Sequence, residues 1–257
     1  MNKSPILAAV LLALVASVAH ADDADNPAVV PYRPSVSTPA QLSAPGWLEL
    51  EAGGLRTSGP DAGSSRATLP YTLKLAFTPD WGIRVGGDAW VRQVDDGTAH
   101  GVGDTSVVLK RRFAVSDATA WGLELGEKFA TAGSTLGSGH PDTTVNAIFS
   151  SDFAPSWHTD LNVNETRLGV PQGEPRAWQT GWAAAVSKAL NDDWGAVGEF
   201  SGTREAGTPS TAQFLLAASW NASPAAVFDF GAAKGLNDAT PHTSVFAGVT
   251  LRLARVF

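Results

Sequence analysis

From about residue 46 onward, apolar and polar residues alternate at period two in long runs. In TLPYTLKLAFT (68–78), Leu69, Tyr71, Leu73, Leu75 and Phe77 share one face, and Pro70, Thr72, Lys74, Ala76 and Thr78 the other. Twelve such runs are expected, near 46–56, 67–78, 81–92, 104–115, 119–130, 142–153, 157–167, 178–190, 194–204, 210–221, 225–234 and 243–257. Most hold about ten to twelve residues. A tilted strand needs about nine to eleven to cross a bilayer, whereas soluble strands centre on about five or six.

The connections between runs alternate in length. Pro79-Asp80, Ser116–Ala118, Ala154–Ser156, Asn191–Asp193 and Ala222–Pro224 are short. RTSGPDAGSSRA, QVDDGTAHGVG, TAGSTLGSGHP, GVPQGEPRA, EAGTPS and NDATPHT are longer and rich in Gly, Pro, Ser and Asp. Short turns on one rim and long loops on the other are the signature of an outer-membrane barrel. The expected fold is therefore all-β: a twelve-stranded antiparallel transmembrane β-barrel over 46–257, with short periplasmic turns and longer outer loops. An even strand number puts both ends of the barrel on the short-turn side.

Trp81, Trp121, Trp157 and Trp194 each follow a short turn closely, at spacings of 40, 36 and 37 residues. A period near forty also suits a β-propeller, but a blade needs four short strands where each repeat here holds two long ones. In a barrel these Trp residues form the periplasmic aromatic girdle, where an indole keeps its N–H wet. Phe257 is expected at the same level. On the last run, Val245, Ala247, Val249, Leu251 and Leu253 share its face, and the run is expected to close the barrel against the first.

The opening MNKSPILAAVLLALVASVAHA reads as a signal peptide over 1–21. Lys3 is its basic start and Ala19-His20-Ala21 a small-x-small cleavage site, so cleavage is expected after Ala21. Residues 22–45 carry Pro27, Pro31, Pro34, Pro39 and Pro45 and are not helical. They are expected either as a periplasmic arm or as a plug folded into the lumen. The formal charge of −7 argues against nucleic acid as a partner. The chain has no Cys, so it has neither disulfides nor thiolate metal sites.

If the apolar face meets lipid, the other lines the lumen. Lys74, Arg84, Asp88, Trp90, Arg92, Lys110, Arg112, Glu124, Lys128 and Asp160 are the candidate lumen and solute-binding residues. Arg84, Arg92, Lys110, Arg112 and Lys128 come from adjacent strands and suggest a basic ladder, faced by acids across the lumen, that would orient an anionic or dipolar solute. Inward-pointing Trp90 would stack on a ring. The alternative is that these charges pair and fill a closed interior. Glu127 and Glu165 fall on the lipid face, which suggests a bulge or a slipped register there. His100, His140 and His242 lie singly in separate loops, so no metal or other cofactor is expected. No Gly-x-Ser-x-Gly elbow marks a hydrolase, and the chain is expected not to be an enzyme.

Three stretches, RPSVSTPAQLSAPGWLELEAG (33–53), GVGDTSVVLKRRF (101–113) and GLNDATPHTSVFAGVTLRL (235–253), together resemble the outer-membrane transporter family of the phenol meta-degradation pathway. The features that carry the resemblance are Arg33-Pro34 leading to Pro45-Gly46 and Glu49/Glu51, and Gly103-Asp104 leading to Lys110. The resemblance implies a β-barrel in the bacterial outer membrane and passive uptake of small solutes, aromatic ones among them. The ending, with Gly248, Leu251 and Leu253, also resembles the C-terminal signal read by the outer-membrane barrel assembly machinery. The expected partners are outer-membrane lipid, that machinery and a small solute. A closed structural or adhesion barrel acting through its outer loops, and a lipid-modifying enzyme, are the alternative functions.

Overall fold

The computed structural model describes residues 27–59, 63–133, 135–170 and 177–257. The expected signal peptide and its cleavage site lie outside the described residues. Thirteen strands form: β1 (Trp47–Ser58), β2 (Ser65–Ala76), β3 (Trp81–Val94), β4 (Thr98–Gly101), β5 (Thr105–Ala114), β6 (Thr119–Phe129), β7 (Asp142–Ala154), β8 (Trp157–Arg167), β9 (Trp178–Ala189), β10 (Trp194–Glu205), β11 (Thr211–Ser223), β12 (Ala226–Gly235) and β13 (Thr243–Arg255). Among the described residues there is no helix.

Twelve of these strands make the wall, each pairing antiparallel with its neighbours. β1 closes on β13 from Trp47↔Arg255 to Ser58↔Thr243. Closure leaves no wall strand with an unpaired edge, as a spanning sheet requires. The twelve expected runs all form, their ends within two residues of the expected ones. The difference is β4: the loop expected after β3 folds back on it, Val91↔Gly101 to Val94↔Thr98, and lengthens the hairpin at the long-loop rim. The short turns are fastened by side chains. Thr78 Oγ1 accepts from the N–H groups of Asp80 and Trp81, and Asn191 Oδ1 from those of Asp193 and Trp194. Such local bonds are why Thr and Asn sit at turns.

Directly paired residues share a face, so the register fixes which side chains look inward. Even residues of β5–β8 and odd residues of β9–β12 face the lumen. There is no two-layer core. Two patches of buried apolar groups lie inside the barrel, Ala185, Val197, Leu215 and Ala233 as one and Ala40, Ala120 and Ile148 as the other. Trp81, Trp121, Trp157 and Trp194 face outward and are between 38% and 51% exposed. Trp194 stacks on Trp220, which stacks on Phe228, at 6.3 and 5.6 Å between centroids.

Two expectations fail at one place. The β2–β3 register shifts between Thr68 and Pro70, so Ala89 and Trp90 together oppose Leu69. Pro70 has no N–H to give the ladder, and a bulge absorbs the gap. Beyond it the alternation inverts. Val91 and Gln93 turn inward while Trp90 and Arg92 face outward. No bulge or slip occurs at Glu127 or Glu165. Both face outward near the long-loop ends of their strands, where Thr143 and Thr180 donate to their carboxylates at 2.7 and 2.6 Å.

Candidate functional site: the lumen and the segment that crosses it

Residues 27–45 lie inside the barrel. The prolines remove five N–H groups from residues 27–45, so this stretch cannot ladder onto the wall. Six of its fourteen remaining N–H groups find side chains of the inner face instead. Val30 donates to both oxygens of Glu49 at 3.4 Å, and Tyr32 to Glu51 at 2.6 Å. Val36 and Ser37 donate to Glu199 at 3.0 and 2.8 Å, and the Ser37 hydroxyl adds a third bond at 2.7 Å. Thr38 and Asn162 exchange two bonds of 3.0 Å, and Ala40 donates to Ser150 Oγ at 2.7 Å. Lys74 and Lys110 donate to the carbonyls of Val30 and Pro39, and Arg252 to that of Pro27. The anchors come from β1, β2, β5, β7, β8, β10 and β13, so the segment is tied around the circumference.

Arg33, half-buried, is the cation of the segment. Its guanidinium makes a two-pronged contact with Asp229, both distances 3.0 Å. It lies over Gly53 and Gly248, which pair across β1 and β13. A Cβ on Gly248 would stand 2.6 Å from Arg33 Nε, and one on Gly53 2.9 Å from Nη2. Two bare glycines therefore make the seat. The segment leaves the lumen at Gly46 (φ 81°), whose missing Cβ would lie 2.5 Å from the Phe257 carbonyl.

Tyr32 is clamped between ammonium groups. Lys74 Nζ and Lys110 Nζ each lie 4.2 Å from its ring centroid. Its hydroxyl donates to the Gln41 carbonyl at 2.8 Å and accepts from Lys110 at 3.1 Å. Burial pushes its phenol well above the usual range, so it stays neutral. A desolvated cation over a ring contributes about 2 kcal/mol.

The inward charges form pairs, not a ladder. Lys74 meets Glu51 at 2.7 Å and Glu49 at 3.0 Å. Arg84 and Lys110 share Glu124, at 2.9 and 3.5 Å. Lys128 sits on Asp142 at 2.5 Å near the long-loop rim, and Asp88 faces Arg66 at 3.6 Å. Asp160 accepts from Ser150 at 2.5 Å and contacts His158 at 3.1 Å. Arg112 faces inward near the short-turn rim, its buried Nε without a partner. Glu199 and Asp229, acids of β10 and β12 on the inner face, are taken by the segment. Arg92 is outside. The basic ladder is thereby corrected: Lys74, Arg84, Lys110 and Lys128 each lie beside a carboxylate, which offsets the cost of taking their charges out of water.

Sequence reasoning missed Arg33, Tyr32, Glu49 and Glu51 as site residues. The signal was present: two acids two apart on the inner face of β1, downstream of prolines that leave N–H groups to satisfy. Among the described residues no group of three His, Asp or Glu is arranged to hold a metal.

The segment divides the lumen into two chambers. One, of about 470 Å³, opens toward the long loops above Val36 and Thr38. The other, of about 300 Å³, lies on the short-turn side beneath Tyr32, Arg33 and Pro34.

Compared by sequence, the chain matches no family model and no curated protein. Its structure does have counterparts. An outer-membrane channel from Pseudomonas putida F1 superposes with a TM-score of 0.63 at 12% identity, covering 91% of this chain and 100% of that one. The NanC porin gives 0.59 at 10% identity, covering 79% and 98%. The toluene transporter TbuX of Ralstonia pickettii gives 0.51 at 8% identity, covering 82% and 90%. At these identities the likeness is one of fold: the barrel has a fold found in outer-membrane channels and porins.

Proposed function

We propose that this chain is a bacterial outer-membrane channel for passive uptake of small solutes, gated by its own residues 27–45. The observation that carries the reading is the divided lumen: two chambers on one axis, separated by a segment that is held by side chains and is not part of the wall. The partly polar inner face and the fold shared with channels and transporters support it. The belt of outward Trp and Phe at the short-turn rim suits an interfacial girdle, and the outward apolar face suits lipid. The C-terminal strand, by its resemblance to the assembly signal, is the part offered to the assembly machinery.

One observation favours a second reading, a closed barrel working through its outer loops: the buried lumen charges are already paired. Flux separates the two. Folded protein in liposomes should admit small solutes, and admit them faster once Glu199→Gln loosens the segment. Liposomes left impermeable by both proteins would favour the closed barrel.

A further inference from the structure

The outer chamber has a composition that selects a ligand class, given the channel reading above. Its lining is dominated by side chains that both donate and accept without carrying charge, among them Asn146, Asn162, Asn164, Thr203 and Gln213. The charged groups on its lining are Arg84 and Glu124, which pair at 2.9 Å.

Part of this hydrogen-bonding capacity is unused. Asn146 is 9% exposed; its amide N–H groups go to Glu124 at 3.0 Å and Asn162 at 3.2 Å, and its Oδ1 is buried without a partner. Gln213 spends its amide on Ser201 at 3.1 Å, leaving its carbonyl open. The Asn164 amide has no bond among the described residues. A buried polar group without a partner calls for an explanation. Here one such group, Asn146 Oδ1, borders the chamber, beside the unbonded amide of Asn164 and the open carbonyl of Gln213, both half-buried. Trp90, the ring expected to stack on an aromatic solute, is outside the barrel.

We infer that the outer chamber is a binding site for small uncharged polyhydroxylated solutes, such as sugars or polyols. Each hydroxyl of such a solute donates and accepts at once, which is what neighbouring Asn, Gln and Thr side chains require. An aromatic hydrocarbon would bury these amides unpaired. An anion would find its one candidate guanidinium already taken by Glu124. A volume of about 470 Å³ lies within the span of small-molecule sites.

The test is titration of the full-length folded protein, in a detergent without a sugar head group, with sucrose, sodium gluconate and benzyl alcohol. Saturable sucrose binding is expected, with gluconate and benzyl alcohol weaker by about tenfold or more. Asn164→Leu and Gln213→Leu should each weaken sucrose by about tenfold, with the heat-modifiable gel band intact. Asn164→Gln should retain much of the binding, as a steric defect would not. Absence of saturable sucrose binding, equal or tighter binding of either competitor, or indifference to the leucine variants would overturn the inference. Liposome flux keeps it distinct from the channel reading. If ions cross but sucrose does not bind, the ligand class fails and the channel stands. If sucrose binds but nothing crosses, the site stands and the channel fails.

Discussion

At the scale of single residues, the lumen segment depends on a few contacts of unequal kind. Tyr32 fills space between Lys74 and Lys110, and its hydroxyl adds two hydrogen bonds. Tyr32→Phe keeps the ring between the ammonium groups and should cost about 1 kcal/mol. Tyr32→Ala removes ring and hydroxyl together and should cost about 3–5 kcal/mol, measured by urea unfolding in detergent. Equal losses from the two variants would mean that the hydroxyl, not the clamp, holds the site. Glu199 is more demanding, because three donors of the segment converge on one carboxylate. Glu199→Gln halves its acceptor capacity with little change of shape. It should raise the conductance of the whole chain and leave a chain lacking the segment unaffected. These contacts were only partly legible. Lys74, Lys110 and Glu124 stand out as inward charges on strands, but a period-two pattern says which face a residue takes and not what lies across from it. Arg33 and Tyr32 belong to a stretch with no period at all.

At the scale of elements, the strands were legible because a spanning strand must repeat the same alternation for about ten residues, and turn chemistry punctuates each end. The bulge was not legible, because its cause and its effect lie on different strands. Pro70 is on β2, and the residues it turns around, Trp90 and Arg92, are on β3. The natural absence of Cys allows a clean check by single-cysteine labelling. Arg92→Cys and Gln93→Cys should react in opposite senses, residue 92 from outside the barrel and residue 93 from the lumen. Labelling of 92 from the lumen would restore strict alternation and remove the bulge. The Gly53–Gly248 seat belongs at this scale too, since it is made by two strands meeting. Gly248→Val should push Arg33 off Asp229 and mobilise the segment; unchanged protection of the 27–45 backbone from hydrogen exchange would contradict that.

At the scale of the whole molecule, the barrel behaves as a fixed cylinder around a removable piece. The wall closes through continuous antiparallel pairing, whereas the segment is held mainly by side chains of the inner face. That difference is what makes it a gate in this account. A tether should lock it. Ala40 N and Ser150 Oγ lie 2.7 Å apart, so a disulfide between Cys introduced at the two positions is the tether to make. The oxidised double variant should be silent, and reductant should restore its activity. The prolines made the segment's lack of regular structure legible. Its position was not, because the bonds that fix it run to residues up to 225 positions away.

The central claim is tested most directly by single-channel conductance in a planar bilayer, comparing the whole chain with one lacking residues 22–45. The account predicts small or infrequent steps from the whole chain and large, steady ones from the truncated chain. Silence from the truncated protein, shown to be folded by its heat-modifiable band, would contradict it, because a barrel without its segment would then still be closed.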